Sequence, residues 1–249
     1  MKLINKFKSP NFNNRKSANI LFIIIHYTAL ENNEKALNYL CDRNNKVSSH
    51  FLISQTGDIY KMVKEKHRAW HAGQSYWGGY TDINSLSIGI ELDYSNNKLN
   101  NKFSKKMISS LEILLKFLKK KYKIDNKNIL SHSDISPFRK QDPGPKFPWR
   151  KFYSTNLAFN PKYSSKVKIS LIEKWFKKNK IKSKVKIVIF ILSYIGYETL
   201  QVENNKNLLS VLIRAYQMHY LQKNLSGKID KLTYKSLIFH FLKLVLTRQ

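Results

Sequence analysis

The sequence predicts an α/β fold: a mixed central β-sheet flanked by helices, followed by a small all-α C-terminal unit of three helices. Two observations carry this. Up to about residue 152, short β-branched runs alternate with stretches of helical apolar spacing, the pattern of a sheet with helices on its faces. Beyond residue 166 only helical spacing remains. A length of 249 residues with 42% hydrophobic side chains allows a sizeable core, in one large unit or two small ones.

The elements follow in order. Residues 1–16 are rich in Lys and Asn and read as an N-terminal tail. The run Ile20 to Ile25, ending in His26, is apolar and β-branched and predicts a strand over 20–27 buried on both faces. A helix is expected near 33–42. Strands near 49–54 and 59–63 flank Gln55-Thr56-Gly57-Asp58, a hairpin signal in which Gly57 supplies positive φ. Ser87 to Leu92 alternates so that Gly89 and Glu91 share one strand face. Gly89 there leaves room for substrate or backbone to come close. Met107, Ile108, Leu111, Leu114, Leu115 and Leu118 recur at helical spacing and predict a core-facing helix over 104–122. Asn128 to His132 reads as another short strand ending in histidine. The loop from Ser136 to Trp149 holds four of the six prolines, which stiffen it. Residues 153–165 read as a connection. After it, Leu208, Leu212, Tyr216 and Tyr220 share a helix face, and a last helix is expected near 231–246. The expected division is therefore a tail, a main unit over 17–165 and a helical unit over 166–249.

Three of these residues suggest a chemistry. His26 ends a strand, and His132 and Asp142 lie ten residues apart across the start of the stiff loop. Two histidines and a carboxylate are the ligand set of an open catalytic zinc site, which keeps a position free for water. A closed structural site normally needs four ligands and often cysteine, and this chain has only Cys41. Taken singly, His26 also fits a hydrogen-bonded core histidine, and Asp142 an ordinary turn aspartate. His50 is left as a core or outer residue beside the set.

Five motifs occur in order: IIIHYT around His26, VSSHFLISQTGDIYKMV, RAWHAGQSYW, SIGIELDY around Glu91, and HSDISPFRKQDPGPKFPW from His132. Over Ser17 to Phe152 they resemble the amidase-2 (AmpD-type) family of zinc-dependent N-acetylmuramoyl-L-alanine amidases, whose fold peptidoglycan-recognition proteins share. The resemblance implies hydrolysis of the amide between N-acetylmuramic acid, plain or 1,6-anhydro, and L-alanine of the stem peptide. This is work in peptidoglycan turnover or recycling. It implies one zinc per chain on His26, His132 and Asp142, with Glu91 and Lys140 catalytic. It places Arg68, Trp70, His71 and Asn84 on the substrate side. A carboxylate at Glu91 can take a proton from water and deliver it to the leaving amine; the alternative is a buried ion-pair partner. The Lys140 ammonium can stabilise an oxyanion, although one lysine among 38 carries little weight alone. Arg214 to Tyr220, with Gly227 to Asp230 and Thr233, resembles a three-helix peptidoglycan-binding domain, with Ser226-Gly227 where Asp-Gly is usual. All five proposed chemical positions precede residue 143, so the main unit is expected to fold and act without the helical one.

The net charge of +29 favours an anionic partner. Nucleic acid is not expected, because lysine outnumbers arginine 38 to 7 and no nucleic-acid motif accompanies the charge. The expected partner is peptidoglycan or a muropeptide, with the oligomeric state open. The longest apolar run outside the amidase-like region, Ile187 to Leu192, is far short of the roughly 20 residues of a transmembrane helix. The N-terminus lacks the apolar stretch of a secretory signal, and a single cysteine fits a reducing compartment. The expectation is the cytoplasm, with the periplasm or cell envelope as the alternative. The alternative function is non-catalytic peptidoglycan recognition; the complete set of five residues argues against it.

Overall fold

The computed structural model describes residues 2–95, 102–162, 169–203 and 205–246. In chain order the strands are β1 (Leu3–Ile4), β2 (Phe12–Asn14), β3 (Phe22–Tyr27), β4 (Phe51–Ile53), β5 (Ile59–Lys61), β6 (His67–Ala69), β7 (Ser87–Leu92) and β8 (Ile129–Ser131). The helices are α1 (Asn33–Cys41), α2 (Ile83–Leu86), α3 (Lys105–Tyr122), α4 (His132–Ile135), α5 (Trp149–Ser154), α6 (Ile169–Lys178), α7 (Lys184–Ile195), α8 (Lys206–Tyr220) and α9 (Lys231–Leu246). Six strands form one mixed sheet in the order β1-β5-β4-β7-β3-β8. Its centre is parallel (β4, β7, β3, β8), and β4 and β5 form the expected antiparallel hairpin. Gly57 in its turn has φ of 88°, a conformation that L side chains rarely adopt.

Strand alternation assigns the two faces of the sheet. Ile23 and Ile25 of β3 and Ile88, Ile90 and Leu92 of β7 turn towards α3, joining Leu111, Leu114 and Leu118 in one core. Phe22 and Ile24 of β3 and Leu130 of β8 turn the other way. There they meet Ile191 of α7, Leu212 and Tyr216 of α8, and Leu237 of α9. His26, Gly89 and Glu91 lie at the matching alternate positions, so the polar residues share the face that the C-terminal helices cover. The registers His26↔Glu91 and Ile24↔Gly89 place them side by side.

Four expectations change. Residues 2–16 are no tail: β1 pairs with β5, and β2 pairs antiparallel with β6. The Arg15 guanidinium donates to the carbonyls of Glu65, Asn84, Ser85 and Ser87 at 2.8–3.0 Å. The composition of this segment hid such contacts, because a two- or three-residue edge strand has no readable period. His132 does not end a strand; it is the first residue of α4. Ser131 and Asp134 cap that helix reciprocally, and the cap turns the chain out of the sheet. The C-terminal region holds four described helices rather than three, since a turn at residues 179–183 separates α6 from α7. Finally, the helices are not a detached unit, because one apolar core runs from β3 and β8 into α7, α8 and α9. The expected boundary near 165 lies outside the described residues.

Candidate active site

Three side chains converge from β3, α4 and the loop after it. His26 Nδ1 lies 3.0 Å from His132 Nδ1 and 3.1 Å from Asp142 Oδ2, and His132 Nδ1 lies 3.0 Å from the same oxygen. All three residues are buried, at 1%, 4% and 8% exposure. The loop is fastened to α4 by Ser133 N–H donating to the Asp142 carbonyl at 3.0 Å.

Hydrogen bonds behind the histidines decide where their protons sit. The Ser87 hydroxyl donates to the Ile83 carbonyl at 2.6 Å. Its oxygen is then free to accept from His71 Nε2–H at 3.1 Å. In a neutral imidazole that leaves His71 Nδ1 bare, so it accepts from His26 Nε2–H at 3.0 Å. His26 Nδ1 is then a lone pair. His132 Nε2–H donates to the Ala72 carbonyl at 3.1 Å, which bares its Nδ1 in the same way. Two lone pairs and a carboxylate oxygen thus face one another with no proton between them. That arrangement repels itself unless a cation joins it. Three donor atoms about 3 Å apart are also the spacing of ligands each about 2 Å from a common ion. The set fits a divalent metal.

The electrostatics agree. Burial, then the neighbouring His132, lowers the His26 pKa to about 4 despite Asp142, so the ring is neutral at physiological pH. Burial, then His26, lowers that of His71 well below its usual value. Burial works to raise the Asp142 carboxyl, but His132 and His26 outweigh it and hold Asp142 ionised. Glu91 is the opposite case. Burial, then the Asp142 charge, raises its carboxyl well above the usual range, with Lys140 opposing. Its Oε2 is buried with no hydrogen-bond partner among the described residues.

The expected residues separate into two groups. His26, His132 and Asp142 meet, and Glu91 and Lys140 lie close enough for their charges to be felt there. Lys140 is half-buried on the same loop. His71 and Asn84 are not exposed to a groove. His71 is the ring behind His26, and the Asn84 side-chain oxygen accepts from the backbone N–H groups of His71 and Ala72 at 3.0 and 2.8 Å. Arg68 and Trp70 are half-buried; Arg68 pairs with Asp82 at 2.9 Å and Trp70 Nε1 donates to Asn13 at 3.1 Å. Gly89 admits neither substrate nor backbone. The His71 ring lies against it, and a Cβ there would stand 2.4 Å from the ring. His50 stays outside the ligand set, its Nδ1 accepting from Gly89 N–H at 3.0 Å.

Sequence reasoning missed Ser87, Ala72 and Arg139 as supports. Arg139 donates to the Ala72 carbonyl at 2.8 Å beside His132. It also missed Asp134, a fully buried carboxylate two residues after His132, whose position in Ser-His-Ser-Asp was the available signal.

Residues 16–145 match the amidase-2 family, described as N-acetylmuramoyl-L-alanine amidase. The chain is 36% identical to the N-acetylmuramoyl-L-alanine amidase AmiD of Escherichia coli over 155 residues, which is 57% of this chain and 55% of AmiD. It therefore spans little more than half the length of that relative. It is 34% identical to the 1,6-anhydro-N-acetylmuramyl-L-alanine amidase AmpD of Haemophilus influenzae over 169 residues, 60% of this chain and 90% of AmpD. Among solved structures it resembles AmiD of Escherichia coli in complex with the substrate anhydro-N-acetylmuramic acid-L-Ala-D-γ-Glu-L-Lys. The TM-score is 0.75 at 28% identity, over 92% of this chain and 91% of that one. AmpDh3 of Pseudomonas aeruginosa aligns over 99% of this chain and all of its own, with a TM-score of 0.74 at 25% identity. With the family match covering more than half of the residues, the chain belongs to the amidase-2 family of N-acetylmuramoyl-L-alanine amidases.

Proposed function

We propose that this protein hydrolyses the amide between the lactyl group of N-acetylmuramic acid, plain or 1,6-anhydro, and L-alanine of the stem peptide. One zinc per chain would be held by His26, His132 and Asp142. The observation that carries this reading is the trio of bare acceptor atoms 3.0–3.1 Å apart, with Glu91 beside His26 on the same sheet face. Bound zinc is a Lewis acid that makes water acidic enough to attack near neutral pH.

The protein's own groups do the rest. Glu91 takes a proton from the attacking water as the new C–O bond forms. It gives that proton to the departing nitrogen as the C–N bond breaks, leaving a lactyl carboxylate and a free L-alanine amine. A buried carboxyl with a raised pKa is suited to holding a proton between those two moments. Lys140 offers its ammonium to the oxyanion that develops on the carbonyl. His71 and Ala72 keep the two ligand rings in the required tautomer. Arg68 and Trp70 are the residues proposed for the sugar or stem peptide. The AmiD complex, which contains an anhydromuramyl tripeptide, supports this substrate class.

The test is a digest of anhydro-N-acetylmuramyl tripeptide analysed by mass spectrometry, beside metal analysis of the purified protein. Free tripeptide and 1,6-anhydro-N-acetylmuramic acid in equal amounts are expected, with one zinc in the wild type and none in His132→Ala. Binding of the muropeptide without any cleavage by zinc-loaded protein would establish the recognition reading instead.

A further inference from the structure

The C-terminal helices reach the back of the metal site through one buried carboxylate. Asp134 belongs to α4, which opens with His132. Its Oδ2 accepts from His219 Nδ1–H at 2.6 Å and from Ser131 N–H at 2.8 Å, and its Oδ1 accepts from Tyr197 O–H at 2.5 Å. Tyr197 follows α7, and His219 lies in the last turn of α8. Just beyond α8, Gln222 donates to the carbonyls of Pro145 and Phe147, on the loop that carries Asp142. The end of one helix therefore grips the segments bearing two of the three ligand residues. His219 is stacked between Trp149 and Tyr220, at 3.6 and 3.9 Å between ring centroids, and so cannot swing away. Its Nε2 is buried without a partner among the described residues. An orphaned buried nitrogen is a cost with no packing benefit, and it is tolerated here because the other nitrogen serves Asp134.

We propose that Tyr197, His219 and Gln222 are positioning residues for the catalytic centre, so that the helical region sets metal affinity and turnover in addition to any contact with the wall. The inference rests on the zinc reading above. It gives the region a role that acts on a soluble substrate and needs no polymer.

The experiment compares full-length Tyr197→Phe, His219→Asn, His219→Leu and Gln222→Ala with the wild type. Zinc affinity is read by competition with a chromophoric chelator, cobalt-substituted protein by its visible spectrum, and kcat and KM on a soluble muropeptide. Asparagine keeps a donor near the position of Nδ1, whereas leucine does not. For His219→Leu, zinc affinity is expected to fall about tenfold or more. Its kcat falls with it, KM stays near wild type, and the cobalt spectrum changes. His219→Asn recovers most of the loss, and the milder Tyr197→Phe shifts zinc affinity in the same direction while remaining folded. A folded His219→Leu and Tyr197→Phe with wild-type zinc affinity and kcat overturn the positioning role alone. A wild-type protein that takes up no zinc overturns the proposed function itself, which is a separate result.

Discussion

Gly89 and His71 are a matched pair. The ring occupies the space that a side chain at 89 would need, and from there it holds His26. Gly89→Ala is expected to push the ring away, destabilise the fold by about 1–3 kcal/mol and weaken zinc binding. Urea unfolding and chelator competition read the two effects, and an alanine variant equal to wild type in both would mean that His71 is not held by this contact. Glu91 permits a second test at this scale. Its folded carboxyl titrates above its unfolded value, so the stability it contributes is present at low pH and lost as pH rises through the folded pKa. Metal-free Glu91→Gln is therefore expected to melt above metal-free wild type at pH 8, with the gap closing towards pH 4. When zinc-loaded, the same variant is expected to keep its metal and lose roughly 10²–10⁴-fold in turnover.

Among the elements, α4 shows how four residues can place His132 in the site. The Ser131 hydroxyl accepts from Asp134 N–H at 2.9 Å, and the Asp134 carboxylate accepts from Ser131 N–H at 2.8 Å. Ser131→Ala is expected to cost about 0.5–2 kcal/mol and to loosen His132, measured by thermal unfolding with and without zinc. The longer elements were readable because burial imposes a period: α3 and β3 bury the residues their spacing predicts. α4 was not, since one turn is too short to display a period. Its cap, Ser-His-Ser-Asp, was visible as letters but competed with the apolar run before it.

For the whole molecule, the shared core matters most. A chain ending at residue 162 would uncover Phe22, Ile24, Leu130 and Ile135, which the C-terminal helices now bury. Such a chain is expected to aggregate or to bind hydrophobic dyes, and not to remain the independent enzyme that the sequence division suggested. Circular dichroism, gel filtration and zinc content decide it, and a monomeric, cooperatively folding product would restore the two-unit view. Buried neutral histidines give a second global signature. Burial, then Arg15, holds His50 at about 3, and burial, then His219, holds His240 at about 3. The unfolded chain binds these protons near pH 6.5. Stability is therefore full above that value and lost as pH falls towards 3, by up to about 1.4 kcal/mol per pH unit for each histidine. The urea midpoint of metal-free protein is expected to drop between pH 7 and 4.5, and His240→Phe is expected to flatten that slope.

The sequence by itself determined the α/β class, the central strands, the long helices and which two histidines and one aspartate come together. Each of these is encoded locally, by apolar period, by turn chemistry or by a motif whose spacing is fixed along the chain. It also put Gly89 and Glu91 on one strand face, and the register of β3 against β7 then set that face beside His26. Only the tertiary structure decided what His71, Asn84 and Gly89 do, since their partners are 12 to 45 residues away across packed elements. The same holds for Arg15, which looked like part of a tail, and for His219, 85 residues from the carboxylate it holds. Period and propensity record whether a side chain is buried. They carry no record of which distant group it meets, because that is fixed by how the sheet and helices pack.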